Sequence, residues 1–380
     1  MDEKERSRED LARANELQAE IFHGISRGEP AERLLLKAIE SMALRDGDTV
    51  SYKEARENMK AIYGIGLGEE VPLQIELEEV EGRLTKLRES YEREGQRSKG
   101  YGRASQERNP GARGARRKPQ GTPCQVKMDH IQQIREVPGA AYAVVFLHGI
   151  LESPAQFADL MDSVPPYCSV YNLLLPGHGG DPQAFAGSGV EKWRSFVLDW
   201  ISRLSGSHRR VVIAGHSMGA LLAMEAAVRF PESMAGLFLM AVPLKIRVRP
   251  GGFSNAFRIL RGRIREDDPI APAVRRTFAL DGYVPLRIAV RWIPRYLELF
   301  RMARQDRRIP ESLECPVMVY QSGKDEFVGR SSAKYLKNVP HVTVRTAAHS
   351  RHFDYIPEER RELLACFREF LEDVLPPVSR

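Results

Sequence analysis

The pattern of hydrophobic and polar positions changes about a third of the way along the chain. Residues 5–92 carry apolar side chains at helical spacing, as at Leu11, Leu17 and Ile21, which predicts amphipathic helices. From about residue 140, short continuous apolar runs bounded by Gly and Pro replace this stripe, and they predict buried strands. The runs are AYAVVFLHG, CSVYNLLLPGHG, RVVIAGHSMG, AGLFLMAVP, CPVMVYQSGKDEF and HVTVRTAAHS.

Helical stretches separate these runs, so the C-terminal part alternates between strand and helix. Such alternation predicts an α/β fold with a doubly wound, mostly parallel sheet. In sheets of this kind the chemistry gathers at the carboxyl ends of the strands. We therefore expect residues 129–380 to form the functional domain and residues 1–92 to form a separate all-helical module of unknown role.

The charge of the chain is unevenly distributed. The whole chain of 380 residues has a formal net charge of +6, whereas residues 93–118 alone hold 9 basic and 2 acidic residues. This stretch is rich in Gly, Arg, Ser and Pro and has almost no aliphatic side chains, so it cannot bury enough apolar surface to offset chain entropy. We predict a basic, disordered linker over residues 93–128.

Composition excludes several classes of protein. No apolar run approaches the ~20 residues that cross a bilayer, which argues against an integral membrane protein. The N-terminal sequence MDEKERSRED lacks the apolar region of a secretory signal. The 4 cysteines are widely spaced, which argues against a disulfide framework or a zinc knuckle. A cytoplasmic location is therefore expected.

A serine nucleophile is indicated by the motif Gly215-His216-Ser217-Met218-Gly219. The motif directly follows the apolar run VVIA and directly precedes an Ala-rich helical stretch, which is the strand–turn–helix context of a nucleophile elbow. The turn is so tight that it requires small residues two positions before and two positions after the serine. An HG pair after the preceding strand indicates an oxyanion loop, with the backbone N–H groups of Ile150 and Met218 as the donors.

A serine nucleophile needs a base, and the base needs an acid that orients it. Asp325 follows a predicted strand and a glycine turn and is the favoured acid, with the neighbouring Glu326 as the next candidate. Two histidines compete for the base, and His349 is favoured over His352 because it comes first after the last strand. The chain order Ser, Asp, His is the order of α/β-hydrolase triads.

Taken together, these segments resemble the α/β-hydrolase superfamily, in its carboxylesterase and monoacylglycerol-lipase-like branch, also labelled serine aminopeptidase-like. The matching segments cover most of residues 140–375 and are VVFLHGI, LLLPGHGGDP, EKWRSFVLDW, GHSMG, AVPL, SGKDEFV and AAHSRHFDYIPEE. The resemblance implies that Ser217 is the nucleophile, His349 the base and Asp325 its partner. It also implies a helical cap inserted at residues 245–308, and neither a metal nor an organic cofactor.

The predicted cap holds 16 basic and 6 acidic residues interleaved with aromatic ones. Such a segment can cover an acyl pocket, with its apolar face packed on the rest of the domain and its arginines in solvent. It can also bind an anionic substrate or make shallow contact with an anionic lipid surface. No motif for a specific nucleic-acid partner is present. The helical module is a candidate for association with itself or with a partner protein.

The expected function is a serine hydrolase that cleaves small-molecule carboxylic esters through an acyl-enzyme. A thioesterase or lysophospholipase acting on an anionic acyl substrate is the alternative within the same chemistry. An interaction protein with a vestigial hydrolase domain is the alternative from another class.

Overall fold

The computed structural model describes residues 130–247, 259, 264, 268, 270–279 and 284–377, together with eight residues nearer the N-terminus. Those eight are helical and lie at positions 12, 13, 16, 17, 20, 37, 40 and 41. The rest of the predicted helical module, the predicted linker and part of the predicted cap lie outside the described residues. The module, the linker and the domain boundaries therefore stay predictions.

A seven-stranded sheet forms the centre of the domain that residues 130–377 describe. Its strands are β1 (Gln133–Arg135), β2 (Tyr142–Leu147), β3 (Ser169–Leu173), β4 (Arg210–His216), β5 (Met234–Met240), β6 (Val317–Ser322) and β7 (Val342–Ala347). They lie in the order β1-β3-β2-β4-β5-β6-β7. β1 pairs antiparallel with β3 and all other pairs are parallel, so the predicted mostly parallel sheet is confirmed.

Helices cover both faces of the sheet. They are α1 (Ala158–Met161), α2 (Pro182–Ala186), α3 (Val190–Ser207), α4 (Met218–Arg229), α5 (Ala271–Thr277), α6 (Leu286–Ala289), α7 (Ile293–Gln305) and α8 (Pro357–Val374). Short 3₁₀ segments occupy Pro154–Phe157, Pro231–Ser233, Val290–Trp292, Asp306–Ser312 and Arg330–Tyr335.

The central strands are mostly apolar because both of their faces are buried. Along β2, Ala143 and Val145 belong to the core cluster that contains residues of α3 and α4, whereas Val144 and Phe146 belong to the cluster that contains residues of α8. Alternate side chains of a strand point to opposite faces, so a strand covered on both sides needs an unbroken apolar run. This explains the sequence pattern that predicted the strands.

The strand order reverses around β2, where functional sites of doubly wound sheets lie. The chain runs from β2 to β3 on one side and then returns to β4 on the other side of β2. The loop after β2 and the turn after β4 therefore face each other at the carboxyl edge of the sheet. The HG pair and the serine motif occupy these two connections.

The segment between β5 and β6 contains α5, α6 and α7, at the place of the predicted cap. The indole N–H of Trp292 donates to the carbonyl of Pro182, and Glu298 accepts from the backbone N–H of Val190. The apolar residues Leu297 and Met302 of α7 are buried, so their side chains are not exposed for contact with a lipid surface. The expected lipid contact therefore finds no support among the described residues.

Within the described part of the chain, no helix has the length and apolar character that crossing a bilayer requires.

Candidate active site

Ser217 occupies a strained turn between β4 and α4. Its backbone angles are φ 53° and ψ −119°, in a region that residues other than glycine rarely adopt and that costs about 1–3 kcal/mol. A Cβ at Gly215 would lie 2.6 Å from the carbonyl oxygen of Gly219, and one at Gly219 would lie 2.0 Å from that of Leu147. These close backbone approaches are why the motif needs glycine at both positions.

A hydrogen-bonded chain joins Ser217, His352 and Asp325. The Nε2 atom of His352 lies 3.1 Å from Ser217 Oγ, and its Nδ1 atom lies 2.8 Å from Asp325 Oδ2. All three side chains are buried. The structure thus places Ser217 and Asp325 in the arrangement that the sequence analysis assigned to them.

The histidine that joins Ser217 to Asp325 is His352, so the prediction that His349 holds this position was wrong. His349 is exposed, and its backbone N–H donates to Glu359 at 2.9 Å. β7 lies three strands away from β4, which at ~4.8 Å per strand is a distance of about 14 Å. Two residues past Ala347 advance the chain by at most about 7 Å, whereas five residues reach about 17 Å. The loop therefore needs the extra length that His352 has.

Asp325 and Glu326 hold different parts of His352. Asp325 binds the ring through Oδ2, while its Oδ1 accepts the backbone N–H groups of Phe327 and Val328, each at 2.8 Å. Glu326 instead accepts the backbone N–H of His352 at 3.1 Å. Between the two acids that the sequence left open, Asp325 is the one placed to orient the ring.

The surroundings of His352 shift its pKa upward. Burial by itself lowers the pKa, but the charge of Asp325, its hydrogen bond to the ring, and the charges of Glu152 and Glu326 outweigh burial and raise the pKa to about 9. A histidine held in this way is a stronger base than a free one.

His148, the histidine of the HG pair, joins two loops. Its Nε2 accepts the backbone N–H of Leu175 at 3.0 Å, so its Nδ1 carries the proton that is donated to the carbonyl of Gly149 at 2.9 Å. Burial lowers the pKa of His148 to about 4, which keeps the ring neutral. His148 therefore connects the loop after β2 to the loop after β3 through hydrogen bonds of its ring.

The predicted oxyanion donors are the backbone N–H groups of Ile150 and Met218. Met218 is the first residue of α4, and N–H groups in the first turn of a helix have no acceptor within the helix. Ile150 lies in the loop after β2, next to Gly149. Their role in holding an oxyanion stays a prediction.

Sequence reasoning missed Glu152 and His216. Both side chains are buried beside Ser217 and His352, and they are joined by a hydrogen bond of 2.8 Å. The sequence offers little signal for them, because Glu152 belongs to no motif and His216 fills the variable position of G-x-S-x-G. Only the fold brings the loop after β2 to the end of β4.

Glu152, His216 and His352 place atoms able to bind a metal within 4.8 Å of one another, the single such group found in the described part of the chain. These side chains already bind protein partners, including Gly149, Ser217 and the backbone of His352 itself. The geometry is that of a filled hydrogen-bond network. The expectation that the chemistry needs no metal or organic cofactor stays a prediction.

A pocket lies between α1, α5 and the loop before α8. Its polar lining includes Gln156, Arg276, Tyr355 and Arg360, and His216 and Phe353 connect it to the site. Burial lowers the pKa of the Arg276 guanidinium, and the neighbouring charge of Arg360 lowers it further. Arg360 binds Asp159, whereas no described residue forms a hydrogen bond or ion pair with the Arg276 side chain.

Comparison with known proteins identifies relatives of this fold. The model of a family described as "Alpha/beta hydrolase family" matches residues 144–365. A pimeloyl-[acyl-carrier protein] methyl ester esterase of Aromatoleum aromaticum is 31% identical over 107 residues, which are 28% of this chain and 40% of the relative. The same-named enzyme of Neisseria meningitidis is 26% identical in an alignment of 270 residues that covers 65% of this chain and 82% of the relative.

The first curated relatives are matched over part of their length only, with the chain spanning 29 to 41% of them. Among solved structures, the monoacylglycerol lipase of Paleococcus ferrophilus is 20% identical, with a TM-score of 0.47, over 63% of this chain and 98% of that one.

Proposed function

Because the chain belongs to the alpha/beta hydrolase family, we propose that it is a serine hydrolase that cleaves carboxylic esters through an acyl-enzyme. The observation that carries the proposal is the chain of hydrogen bonds from Ser217 through His352 to Asp325. A nucleophile, a base within hydrogen-bond reach and an acid that orients the base are the parts that acyl transfer by a serine requires.

In the first half of the reaction, Ser217 Oγ attacks the carbonyl carbon of the ester while His352 Nε2 accepts its proton. Asp325 binds the Nδ1–H of His352, which leaves the Nε2 lone pair facing the serine and stabilises the imidazolium that forms. The negative charge on the carbonyl oxygen rests on the N–H groups of Ile150 and Met218. Losing one such donor typically costs ~2.7–4 kcal/mol of transition-state stabilisation.

The imidazolium of His352 then returns its proton to the leaving alcohol, and the acyl group stays on Ser217. In the second half, water attacks the acyl-enzyme while His352 accepts a proton from the water. The imidazolium of His352 then returns this proton to Ser217 Oγ as the carboxylic acid leaves, which restores the free serine. The strained backbone of Ser217 supports this role, because the turn raises the side chain above the end of β4.

The experiment is turnover of p-nitrophenyl acyl esters by the full chain, compared with its Ser217→Ala variant. We expect a loss of about 10⁴- to 10⁶-fold in kcat, because the nucleophile is absent. An alkyl fluorophosphonate probe should label the wild-type chain at Ser217 and leave the variant unlabelled. Intact turnover by the variant contradicts the proposal. A wild-type chain that neither turns over nor labels supports an interaction protein with a vestigial hydrolase domain instead.

Arg276 favours a second candidate, an ester or thioester whose acyl group carries a negative charge. Its guanidinium is partly buried near Asp159 and Asp354, but no described residue forms an ion pair with it, and an anionic group of the substrate would supply one. The pimeloyl esterases named above are relatives whose names specify an acyl chain on a carrier protein. We expect Arg276→Gln to raise KM for a half-ester of a dicarboxylic acid but not for the neutral ester of equal length. Equal KM changes would exclude this candidate.

A further inference from the structure

Glu152 and His216 form a second buried acid–histidine pair that the proton transfers described above do not use. One carboxylate oxygen of Glu152, Oε2, lies 2.8 Å from Nδ1 of His216. The same oxygen accepts the backbone N–H of Gly149 at 2.6 Å and the side-chain amide of Gln156 at 2.8 Å. The other ring nitrogen of His216, Nε2, lies 2.9 Å from the carbonyl oxygen of His352.

The ring of His216 bridges two oxygen acceptors. Its Nε2 faces the carbonyl oxygen of His352, which can only accept a hydrogen bond. Its Nδ1 faces Oε2 of Glu152, which also accepts from the two N–H groups named above. Burial by itself raises the pKa of Glu152, but the charge and hydrogen bond of His216 outweigh burial and lower it to about 2.

A buried acid–histidine pair is a poor source of stability, since the cost of removing such polar groups from water offsets most of their attraction. This pair lies where three connections meet, namely the loop after β2, the end of β4 and the loop that carries His352. Its position is better explained by the two backbone groups that it binds, the N–H of Gly149 and the carbonyl of His352.

We propose that Glu152 and His216 are positioning residues. They hold the loop after β2, which carries the expected oxyanion donor, and His352 at the positions relative to Ser217 that the reaction requires. The carboxylate of Glu152 holds the N–H of Gly149, whose neighbour Ile150 is the expected oxyanion donor. The ring of His216 holds the carbonyl of His352. This inference rests on the proposed hydrolase function.

The His352 loop needs such support because it has no regular secondary structure. Asp325 binds the His352 ring, Glu326 binds its backbone N–H and His216 binds its carbonyl. Side chains from one loop and one strand end thus fix the residue. Without His216, the peptide that follows His352 loses its donor, and the ring loses one of the contacts that set its distance from Ser217.

The absence of a side chain at Gly149 allows the carboxylate to approach the loop that carries Ile150. A Cβ at Gly149 would lie 2.6 Å from Oε2 of Glu152. A side chain at this position would therefore displace the carboxylate from the backbone N–H of Gly149.

The test measures kcat and KM for a p-nitrophenyl ester, with the full chain and with Glu152→Ala, Glu152→Gln and His216→Ala. A displacement of the reacting groups by about 1 Å can cost on the order of 100-fold. We therefore expect the two alanine variants to lose about 10- to 100-fold in kcat, with little change in KM. Glu152→Gln should recover part of that loss, because its amide oxygen still accepts the N–H of Gly149.

Glu225→Gln is the matched control, because Glu225 is a carboxylate that binds Arg194 and contacts no member of the triad. Its kcat should equal that of the wild type. Thermal unfolding of each variant ensures that the rates are compared on folded protein, and Glu152→Gln, which keeps the size of the side chain, serves if an alanine variant fails to fold.

Unchanged kcat in His216→Ala or Glu152→Ala overturns the inference, as does a loss that falls on KM alone or a Glu152→Gln variant no better than Glu152→Ala. Fluorophosphonate labelling of the wild type separates this failure from that of the proposed function. A wild-type chain that labels and turns over while the variants match it contradicts the positioning role only. A wild-type chain that does neither contradicts both.

Discussion

Replacing His352 with alanine should abolish ester hydrolysis, whereas the same replacement at His349 should leave it intact. The His352 ring lies 3.1 Å from Ser217 Oγ and 2.8 Å from Asp325, so His352→Ala removes the base and disconnects the acid. His349 is exposed, and its contact with Glu359 uses its backbone N–H, which alanine retains. The two variants therefore share residue type, substitution and loop but differ in contact with the serine.

The expected size of the effect follows from the role of the base. Removing the base of a serine triad lowers kcat by about 10⁴- to 10⁶-fold, which corresponds to about 5–8 kcal/mol of barrier. For His349→Ala we expect a change of less than about twofold, since a surface substitution away from the site shifts stability by about 0.5 kcal/mol or less.

The assay is the initial rate with p-nitrophenyl butyrate, read together with fluorophosphonate labelling and a thermal unfolding curve for each variant. Labelling should slow with His352→Ala and continue at the wild-type rate with His349→Ala. A His349→Ala variant that is inactive while His352→Ala keeps wild-type kcat would refute the assignment. It would also show that the distance argument across three strands is wrong.

Three further predictions concern other parts of the domain. The kcat/KM of the wild type should rise as the pH increases toward the pKa of about 9 of His352, because only the neutral ring accepts a proton. In the pH–rate profile of Asp325→Asn, this rise should occur at lower pH. Gly219→Ala should lower the unfolding temperature by about 6–12 °C, since its Cβ would lie 2.0 Å from a backbone oxygen, while Gly206→Ala, with open space around its Cβ, should not. Burial, together with the charge of Glu225, raises the pKa of Asp306 to about 8. Asp306 therefore destabilises the folded state increasingly as the pH rises above the ordinary pKa of an aspartate. In calorimetry, Asp306→Asn should raise the unfolding temperature at pH 8 but not at pH 4.

The sequence by itself determined those features whose physical causes are local. The strands are recognisable because both faces of each central strand are buried, which requires continuous apolar runs. Ser217 is recognisable because its turn brings Gly215 and Gly219 against neighbouring backbone, and only glycine permits that approach. Asp325 was favoured as the acid because it follows a strand and a glycine turn, and the structure places it against the His352 ring.

The tertiary structure decided which side chains meet across the sheet. The choice between His349 and His352 depends on how many strands separate β7 from β4, and nothing within the His-Ser-Arg-His segment encodes that distance. The Glu152–His216 pair likewise forms only because β2 and β4 are neighbours, although 64 residues separate the two side chains along the chain. Backbone strain and burial leave a signature in adjacent residues, whereas contacts between loops depend on strand order and loop path, which adjacent residues do not specify.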